Sequence, residues 1–168
     1  MIEILQPRLF VQSIYDIDLT HLADRGMRGL ILDLDNTLVG WNQAHPSDEL
    51  VEWLRRVKAR QLKTCIVSNN LADRVERFSR HVGVMAIAKA AKPRRWAFRE
   101  AMHKMGTHQR QTAVVGDQIF TDILGGNRLG LFTILVKPLG ERELWTTQLV
   151  RHLERVVLPR GRSAGSGG

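Results

Sequence analysis

Residues 29–37 read GLILDLDNT, an apolar run followed at once by two acidic side chains. Side chains alternate along an extended strand, so Asp33 and Asp35 are expected to point to the same face. Two negative charges brought together at the end of a strand are costly unless a cation or a proton neutralises them. The pair therefore predicts a site for Mg²⁺, for a proton, or for both. The alternative is an ordinary Asp/Asn turn after the strand, with Thr37 capping the segment that follows.

Around this stretch, short apolar runs alternate with amphipathic segments, the pattern of a parallel α/β sheet. Strands are predicted at 29–34, 63–68, 84–88, 112–116 and 131–136, which makes a central sheet of about five strands. Helices are predicted at 47–60, 71–82, 93–105, 120–128 and 141–156. Ser47 and Asn70 are the expected N-caps of the first two helices.

With 168 residues the chain fits a single domain that can bury a full hydrophobic core. We expect this domain over residues 1–158, with 1–28 as an N-terminal extension that packs on the core. Residues 159–168 are rich in Gly, Ser and Arg and are expected to be disordered. The single cysteine, Cys65, lies in an apolar segment, which favours a buried thiol over a nucleophile. The chain shows neither an apolar run of membrane-spanning length nor a signal-peptide pattern, so a cytoplasmic protein is expected.

Polar residues follow the predicted strands where ligand sites of open parallel sheets gather, at the carboxyl ends of the strands. These candidates are Asp33, Asp35, Thr37, Ser68, Asn69, Asn70, Lys92, Asp117 and Asp122. Together they suit phosphoryl transfer to an enzyme carboxylate. One carboxylate attacks phosphorus, a second moves the proton, Mg²⁺ screens the repulsion between carboxylate and phosphate, and a lysine supplies a fixed positive charge. The alternatives are that the later two aspartates cap a helix and that Lys92 is an exposed basic residue.

The same residues resemble the motifs of the haloacid dehalogenase (HAD) superfamily of phosphatases, in order and at plausible spacing. Residues 30–37 match its hhhhDxDxT motif, Ser68 its second motif, and residues 116–122, GDQIFTD, its acidic fourth motif. Lys92 matches the lysine of the third motif. Lys89 is a rival for that position, but the proline after Lys92 favours Lys92.

The resemblance implies a Rossmann-like, three-layer α/β/α fold. It makes Asp33 the nucleophile and Asp35 the general acid and base. Mg²⁺ would be bound by Asp33, by Asp35 through its backbone carbonyl, and by Asp117, with Asp122 supporting the metal site. The implied contacts to the phosphorylated substrate come from Thr37, Ser68, Asn69 and Lys92. The gaps between the motifs are too short for a cap domain, so an open site is expected.

A closer resemblance concerns the YqeG family of HAD subclass IIIA, which is similar to mitochondrial phosphatidylglycerophosphate phosphatases. It rests on residues 7–18 (PRLFVQSIYDID), 29–39 (GLILDLDNTLV) and 136–139 (VKPL). It implies that the substrate is phosphatidylglycerophosphate and the product phosphatidylglycerol.

The formal charge of +8 is concentrated in residues 51–110, where fifteen Lys and Arg stand against four acidic residues. This excess is typical either of solvated helix faces or of a protein with an anionic partner, such as a phosphorylated substrate or an anionic lipid at the inner face of a membrane. Two other functions remain open: a phosphatase of a nucleic-acid end or soluble metabolite, and a non-enzymatic module that accepts phosphate on aspartate. The chain has no evident aromatic stacking platform, which disfavours nucleic acid. No pattern indicates an oligomeric state.

Overall fold

The computed structural model describes residues 3–140, which are organised around one sheet of six parallel strands. The strands are β1 (Leu9–Val11), β2 (Gly29–Leu32), β3 (Lys63–Val67), β4 (Met85–Ile87), β5 (Thr112–Gly116) and β6 (Phe132–Val136). Their order is β1-β6-β5-β2-β3-β4, so β2 lies in the middle, between β5 and β3. The predicted parallel α/β fold is confirmed, and β1 is a strand beyond the five expected.

The central strand β2 is buried on both faces, which explains why its residues read as one continuous apolar run. Leu30 and Leu32 pack into the core on one side of the sheet, and Ile31 packs into the core on the other side. Leu32 lies opposite Ile66 of β3 and Val115 of β5. The three central strands therefore end at the same level, and the residues that follow them meet at one edge of the sheet.

Helices cover both faces of the sheet and complete the three-layer architecture. They are α1 (Leu19–Asp24), α2 (Asp48–Ala59), α3 (Ala72–Val82), α4 (Arg95–Met105) and α5 (Leu124–Asn127). Trp53 of α2 and Phe78 of α3 belong to the core on the side of Leu30, whereas Phe98 of α4 belongs to the core on the side of Ile31. The helices α2, α3 and α4 thus each bury one apolar stripe against the sheet.

Two helix boundaries test the predicted caps. The side chain of Ser47 accepts a hydrogen bond from the backbone of Leu50, so the predicted N-cap of α2 is confirmed. The prediction for α3 is wrong by one residue, because Leu71 is its N-cap and forms no side-chain cap bond. Asn70 instead directs its amide toward another partner, described below.

The N-terminal segment joins the sheet at one edge. Strand β1 pairs in parallel with β6, with Leu9 opposite Ile134. The side-chain amide of Asn127 donates to the backbone oxygens of Ile4 and Gln6, both at 2.8 Å. Leu22 of α1 is buried in the core beside β2 and α2. This segment therefore adds an edge strand to the sheet and covers part of one face.

The segment predicted as one α-helix at 120–128 is α-helical only in its second half. A π-helical turn at Ile119–Ile123 precedes α5, and the amides of Asp122 and Ile123 both bond the carbonyl of Gln118, at 3.0 and 3.3 Å. Such wide turns are rare and occur often at functional sites. The helix predicted at 141–156 and the disordered tail predicted at 159–168 lie outside the described residues.

The connections at the carboxyl edge are short. Between β2 and β3 the chain forms α2, and between β3 and α4 it forms α3 and β4. Within residues 3–140 no further domain is inserted over this edge, as the motif spacing predicts. None of the helices in this part of the chain is long and apolar enough to cross a bilayer.

Candidate active site

The site is built where β2 and β5 end side by side. Asp33 follows β2 directly, and its amide donates to the carbonyl of Val115 at 2.9 Å, so the ladder between the two strands continues one residue past β2. Asp117 follows β5 directly. Because neighbouring strands are about 4.8 Å apart, the two carboxylates are brought close together at this edge.

Lys92 joins two of the aspartates in a buried ion-pair network. Its Nζ lies 2.6 Å from Oδ1 of Asp33 and 2.6 Å from Oδ1 of Asp122. The lysine side chain is only 3% exposed. Burial lowers the pKa of Lys92, but the charges of Asp122 and Asp33 outweigh burial, so its pKa is raised overall and the ammonium stays charged. Lys92 is therefore a fixed cation of this site and not an exposed basic residue.

Thr37 lies between the carboxylates of Asp33 and Asp117. Its Oγ1 is 3.2 Å from Oδ2 of Asp33 and 3.2 Å from Oδ1 of Asp117. A hydroxyl has one hydrogen, so it can donate to only one of the two carboxylates at a time. The sequence resemblance implies a contact between Thr37 and substrate, whereas in this geometry Thr37 orients the two aspartates.

Two of the aspartates hold their protons unusually tightly. Burial, followed by the charges of Asp33 and Asp122, raises the pKa of Asp117 to about 8. Burial also raises the pKa of Asp122 to about 6, although Lys92 acts in the opposite direction. Three carboxylates thus share one ammonium group, which leaves this site with more negative than positive charge near neutral pH.

The donor set fits a divalent cation that prefers oxygen. One carboxylate oxygen from each of Asp33, Asp117 and Asp122 lies within 4.8 Å of the others, and all three residues are buried. Mg²⁺ prefers carboxylate oxygens and usually keeps several waters, so three such ligands suffice. A divalent cation would also neutralise the excess negative charge that one lysine leaves.

Asp35 is not part of this cluster. Its Oδ1 accepts from Nε and Nη2 of Arg74 at 2.9 and 2.7 Å, and its Oδ2 accepts from the side-chain amide of Asn70 at 2.9 Å. Arg74 also donates to the carbonyls of Gly40 and Gln43, at 3.1 and 2.9 Å. Asp33 and Asp35 thus have different cationic partners, Lys92 and Arg74. Their placement on one face stays a prediction.

Ser68 and Asn69 lie at the same edge of the sheet but make different contacts. Ser68 is buried, and its Oγ accepts from the amide of Asn70 at 3.1 Å, which leaves the hydroxyl able to donate to another acceptor. Asn69 binds the backbone of Lys92 from both sides: its Oδ1 accepts from the Lys92 amide at 2.7 Å, and its Nδ2 donates to the Lys92 carbonyl at 3.3 Å. Asn69 therefore positions Lys92, although a substrate contact is predicted for it.

Arg74 is the residue beside Asp35 that the sequence patterns miss, whereas Asn70 is already a candidate at this edge. The sequence does not single out Arg74, because it is one of fifteen basic residues in 51–110. Its place in the first turn of the helix after β3 is the signal that could have revealed it. Helices that follow parallel strands begin at the carboxyl edge, where their first side chains can reach the site.

Comparison with known proteins gives a match that covers most of both chains. The sequence is 41% identical over 152 residues to "Probable phosphatase YqeG" of Bacillus subtilis (strain 168), covering 90% of this chain and 88% of that protein. Residues 89–150 match the hydrolase-like family model described as HAD-hydrolase-like.

Two more distant matches extend the comparison. Phosphatidylglycerophosphate phosphatase 1, chloroplastic/mitochondrial, of Arabidopsis thaliana is 27% identical over 167 residues, covering 92% of this chain and 47% of that protein. The solved structure of 3-deoxy-D-manno-octulosonate 8-phosphate phosphatase from Yersinia pestis superposes with a TM-score of 0.53 at 14% identity. That superposition covers 78% of this chain and 73% of the other, and it supports the fold alone.

Proposed function

This chain belongs to the YqeG family of HAD-like phosphatases, and we propose that it hydrolyses phosphomonoesters through a phosphorylated Asp33, with Mg²⁺ as cofactor. The observation that carries the proposal is the buried ion pair between Asp33 and Lys92. The Nζ atom of Lys92 lies 2.6 Å from Oδ1 of Asp33, and Asp117 and Asp122 complete the acidic cluster. A nucleophilic carboxylate must approach a phosphate of the same charge sign, and this arrangement supplies positive charge at that point.

In the first step, an oxygen of the Asp33 carboxylate attacks phosphorus, and the bond from phosphorus to the leaving oxygen breaks. The protonated Asp35 gives its proton to the leaving oxygen, so the product is a neutral alcohol. Lys92 holds the ammonium charge next to the attacking carboxylate. Ser68, buried at the same edge, donates its hydroxyl to a phosphoryl oxygen.

In the second step, water hydrolyses the phospho-aspartate. The Asp35 carboxylate takes a proton from the water, the water oxygen attacks phosphorus, and the bond from phosphorus to Asp33 breaks. Inorganic phosphate leaves, while Asp33 is restored as a carboxylate and Asp35 as an acid. Arg74 and Asn70 hold the side chain of Asp35 between these two proton transfers.

The residues that would hold Mg²⁺ are Asp33, Asp117 and Asp122. When bound, Mg²⁺ supplies charge neutralisation between the carboxylates and the phosphate. Asp35 contributes no carboxylate oxygen to the buried cluster, and we propose that it would bind the metal through its backbone carbonyl.

For the substrate we propose phosphatidylglycerophosphate, with phosphatidylglycerol as product. The Arabidopsis relative bears the name of that activity, and the similarity spans 92% of this chain. The carboxyl edge carries no inserted domain within residues 3–140, so a phosphate on a large carrier can reach it. Residues 77–99 contain seven Lys and Arg and no acidic residue, which favours an anionic substrate surface.

The reaction type is tested with p-nitrophenyl phosphate. We expect the purified protein to hydrolyse it with Mg²⁺ and to lose activity in EDTA. Asp33→Asn is nearly isosteric and removes the nucleophile, so turnover should fall to background. Trapping of a phosphoryl group on the wild type but not on this variant would support the covalent step, whereas undiminished turnover by Asp33→Asn would refute it.

The substrate is tested by phosphate release with Mg²⁺ from phosphatidylglycerophosphate in mixed micelles, from nucleotides, from a 5′-phosphorylated oligonucleotide and from sugar phosphates. We expect the lipid to give the highest kcat/KM by at least about tenfold, a difference of roughly 1.4 kcal/mol in transition-state binding. A higher kcat/KM for any of the water-soluble compounds would reject the lipid assignment and leave the reaction type intact.

A further inference from the structure

The most exposed large apolar side chains of residues 3–140 all lie at the carboxyl edge of the sheet. Their exposed fractions are 71% for Trp41, 68% for Phe120, 67% for Leu71 and 47% for Trp96, and no other large apolar side chain in this range exceeds 40%. We call these four residues the apolar rim. Single exposed apolar residues are common on protein surfaces, but a group at one end of a molecule indicates an interaction site.

Three members of the apolar rim follow the central strands, at the edge of the sheet where Asp33 lies. Trp41 follows β2, Leu71 follows β3, and Phe120 follows β5, which are the three central and adjacent strands. Arg74 donates to the carbonyls of Gly40 and Gln43. This contact holds the loop of Trp41 against the first turn of α3, whose N-cap is Leu71.

Exposed basic side chains adjoin the apolar rim on one side. The amide of Lys89 donates to the carbonyl of Asn70 at 3.0 Å, so Lys89 lies next to the residue that precedes Leu71. Arg94 and Arg95, both exposed, directly precede Trp96. The run 77–99 holds no acidic residue, so Lys89, Arg94 and Arg95 have no acidic neighbour within that run.

We propose that the apolar rim and the basic residues Lys89, Arg94 and Arg95 dock this protein on the surface of an anionic bilayer. Aromatic and aliphatic side chains insert at the boundary between headgroups and acyl chains, and basic residues bind the headgroup phosphates. This inference rests on the proposed function, since docking by this face directs Asp33 toward phosphate groups in the plane of the headgroups.

A bilayer suits this surface better than a second copy of the chain. In a twofold-symmetric dimer the same patch meets itself, so the basic run of one copy would approach the basic run of the other. Like charges at an interface disfavour that arrangement. An anionic bilayer complements both parts of the surface at once.

The test is cosedimentation of the full chain with vesicles. We expect the protein to bind vesicles of 70% phosphatidylcholine and 30% phosphatidylglycerol at least about tenfold more tightly than vesicles of phosphatidylcholine alone. Binding should weaken as salt is raised, because salt screens exposed charges over about 10 Å at 0.1 M. Asp33→Asn should bind like the wild type, since docking requires no turnover.

Matched variants separate this surface from general charge and hydrophobicity. The double variant Trp41→Ser with Phe120→Ser, and the double variant Lys89→Glu with Arg94→Glu, should each weaken vesicle binding about tenfold or more. Met85→Ser and Arg110→Glu are the controls, because both residues are exposed and lie at the opposite, amino end of the sheet. Circular dichroism and thermal unfolding verify that each variant is folded.

Three outcomes would overturn the proposal. They are no binding of the wild type to the anionic vesicles, equal loss in the controls and the rim variants, and a wild-type dimer in light scattering that the rim variants dissolve. A protein that hydrolyses p-nitrophenyl phosphate but ignores vesicles would reject the docking surface and leave the reaction intact. Vesicle binding without hydrolysis of p-nitrophenyl phosphate would reject the proposed reaction and leave the docking surface intact.

Discussion

Arg74 binds Asp35 through two of its nitrogens, with Nε 2.9 Å and Nη2 2.7 Å from the same carboxylate oxygen. Lys92 meanwhile binds Asp33, two residues earlier in the chain. The two aspartates of the DxD motif thus bind different cations. Arg74 lies on α3, and Lys92 lies between β4 and α4. The division of roles proposed for Asp33 and Asp35 therefore depends on which cation each one meets.

Replacing Arg74 tests whether it positions Asp35. In Arg74→Gln the carboxylate keeps only Asn70, and the loop at 40–43 loses its two bonds to this side chain. We expect kcat to fall on the order of tenfold with a changed pH profile, against a loss of about 10²–10⁴ for Asp35→Asn, which removes the proton transfer itself. The measurement is the pH dependence of kcat and of kcat/KM.

Arg77→Gln is the matched control, because Arg77 lies one turn later on α3 and its Nε bonds the carbonyl of Asp73. Arg74→Lys should recover only part of the loss, since an ammonium cannot reproduce the planar fork of a guanidinium. An unchanged pH profile in Arg74→Gln would show that Arg74 is merely structural.

Lys92→Met is expected to destabilise the metal-free protein strongly. It removes the ammonium group that lies 2.6 Å from both Asp33 and Asp122 and leaves these buried carboxylates without their cation. Breaking a buried ion pair in this way costs about 3–5 kcal/mol of the free energy of unfolding. Urea unfolding in EDTA measures the loss, with Lys89→Met, an exposed neighbour, as the control. Equal stability of the two variants would contradict the buried network.

Asp117→Asn is expected to separate metal binding from folding. The change removes a carboxyl group whose ionisation is opposed by burial and by the charges of Asp33 and Asp122, so the metal-free protein should be no less stable than the wild type. Mg²⁺ should raise the melting temperature of the wild type, by an amount that corresponds to about 2.7 kcal/mol at a hundred times its Kd. That increase should be lost in the variant, with Asp73→Asn as the control. A full Mg²⁺ response in Asp117→Asn would exclude this aspartate as a ligand.

Gly116→Ala is expected to displace Asp122. A Cβ at position 116 would lie against Cγ and Oδ2 of Asp122, closer than real Cβ contacts come. Overpacking of this kind costs about 1–3 kcal/mol, and here it also moves a carboxylate away from Lys92. Removing that carboxylate should relieve the contact, so Gly116→Ala should cost less in an Asp122→Ala background. Additive losses in a double-mutant cycle of urea unfolding would refute the contact.

Cys65 is expected to resist thiol reagents in the folded protein. The side chain is fully buried, as its apolar segment predicts, and burial raises the pKa of the thiol to about 12. A maleimide should label it only in denaturant. Because the unfolded thiol loses its proton at lower pH than the folded one, ionisation favours unfolding as the pH rises above the unfolded value. Rapid labelling under native conditions would contradict this packing.

The order of the motifs and the type of chemistry are readable from the sequence. A continuous apolar run followed by DLDNT predicts a buried central strand with carboxylates at its end, because burial on both faces and alternation of side chains leave few other interpretations. The later GDQIFTD and Lys92 follow other strands, and the carboxyl ends of parallel strands meet at one edge. Sequence spacing alone therefore predicts a shared site at this edge.

Which side chains touch was decided only by the tertiary structure. Strand β2 ends at Leu32, and the chain then turns back, with the amides of Leu38 and Val39 both bonding the carbonyl of Leu34. Asn36 adopts a positive φ of 61° in this turn. The alternation of side chains along an extended backbone predicts the face of Asp33 and Asp35, but not the partner that each carboxylate binds.

The sequence reveals the partners of these two aspartates to different degrees. Asp33 meets a lysine 59 positions later and Asp35 an arginine 39 positions later. The motif match and the proline that follows favour Lys92, whereas no spacing rule distinguishes Arg74 among the many basic residues of 51–110. Side-chain burial and the path of each connection select them, and both are properties of the folded chain.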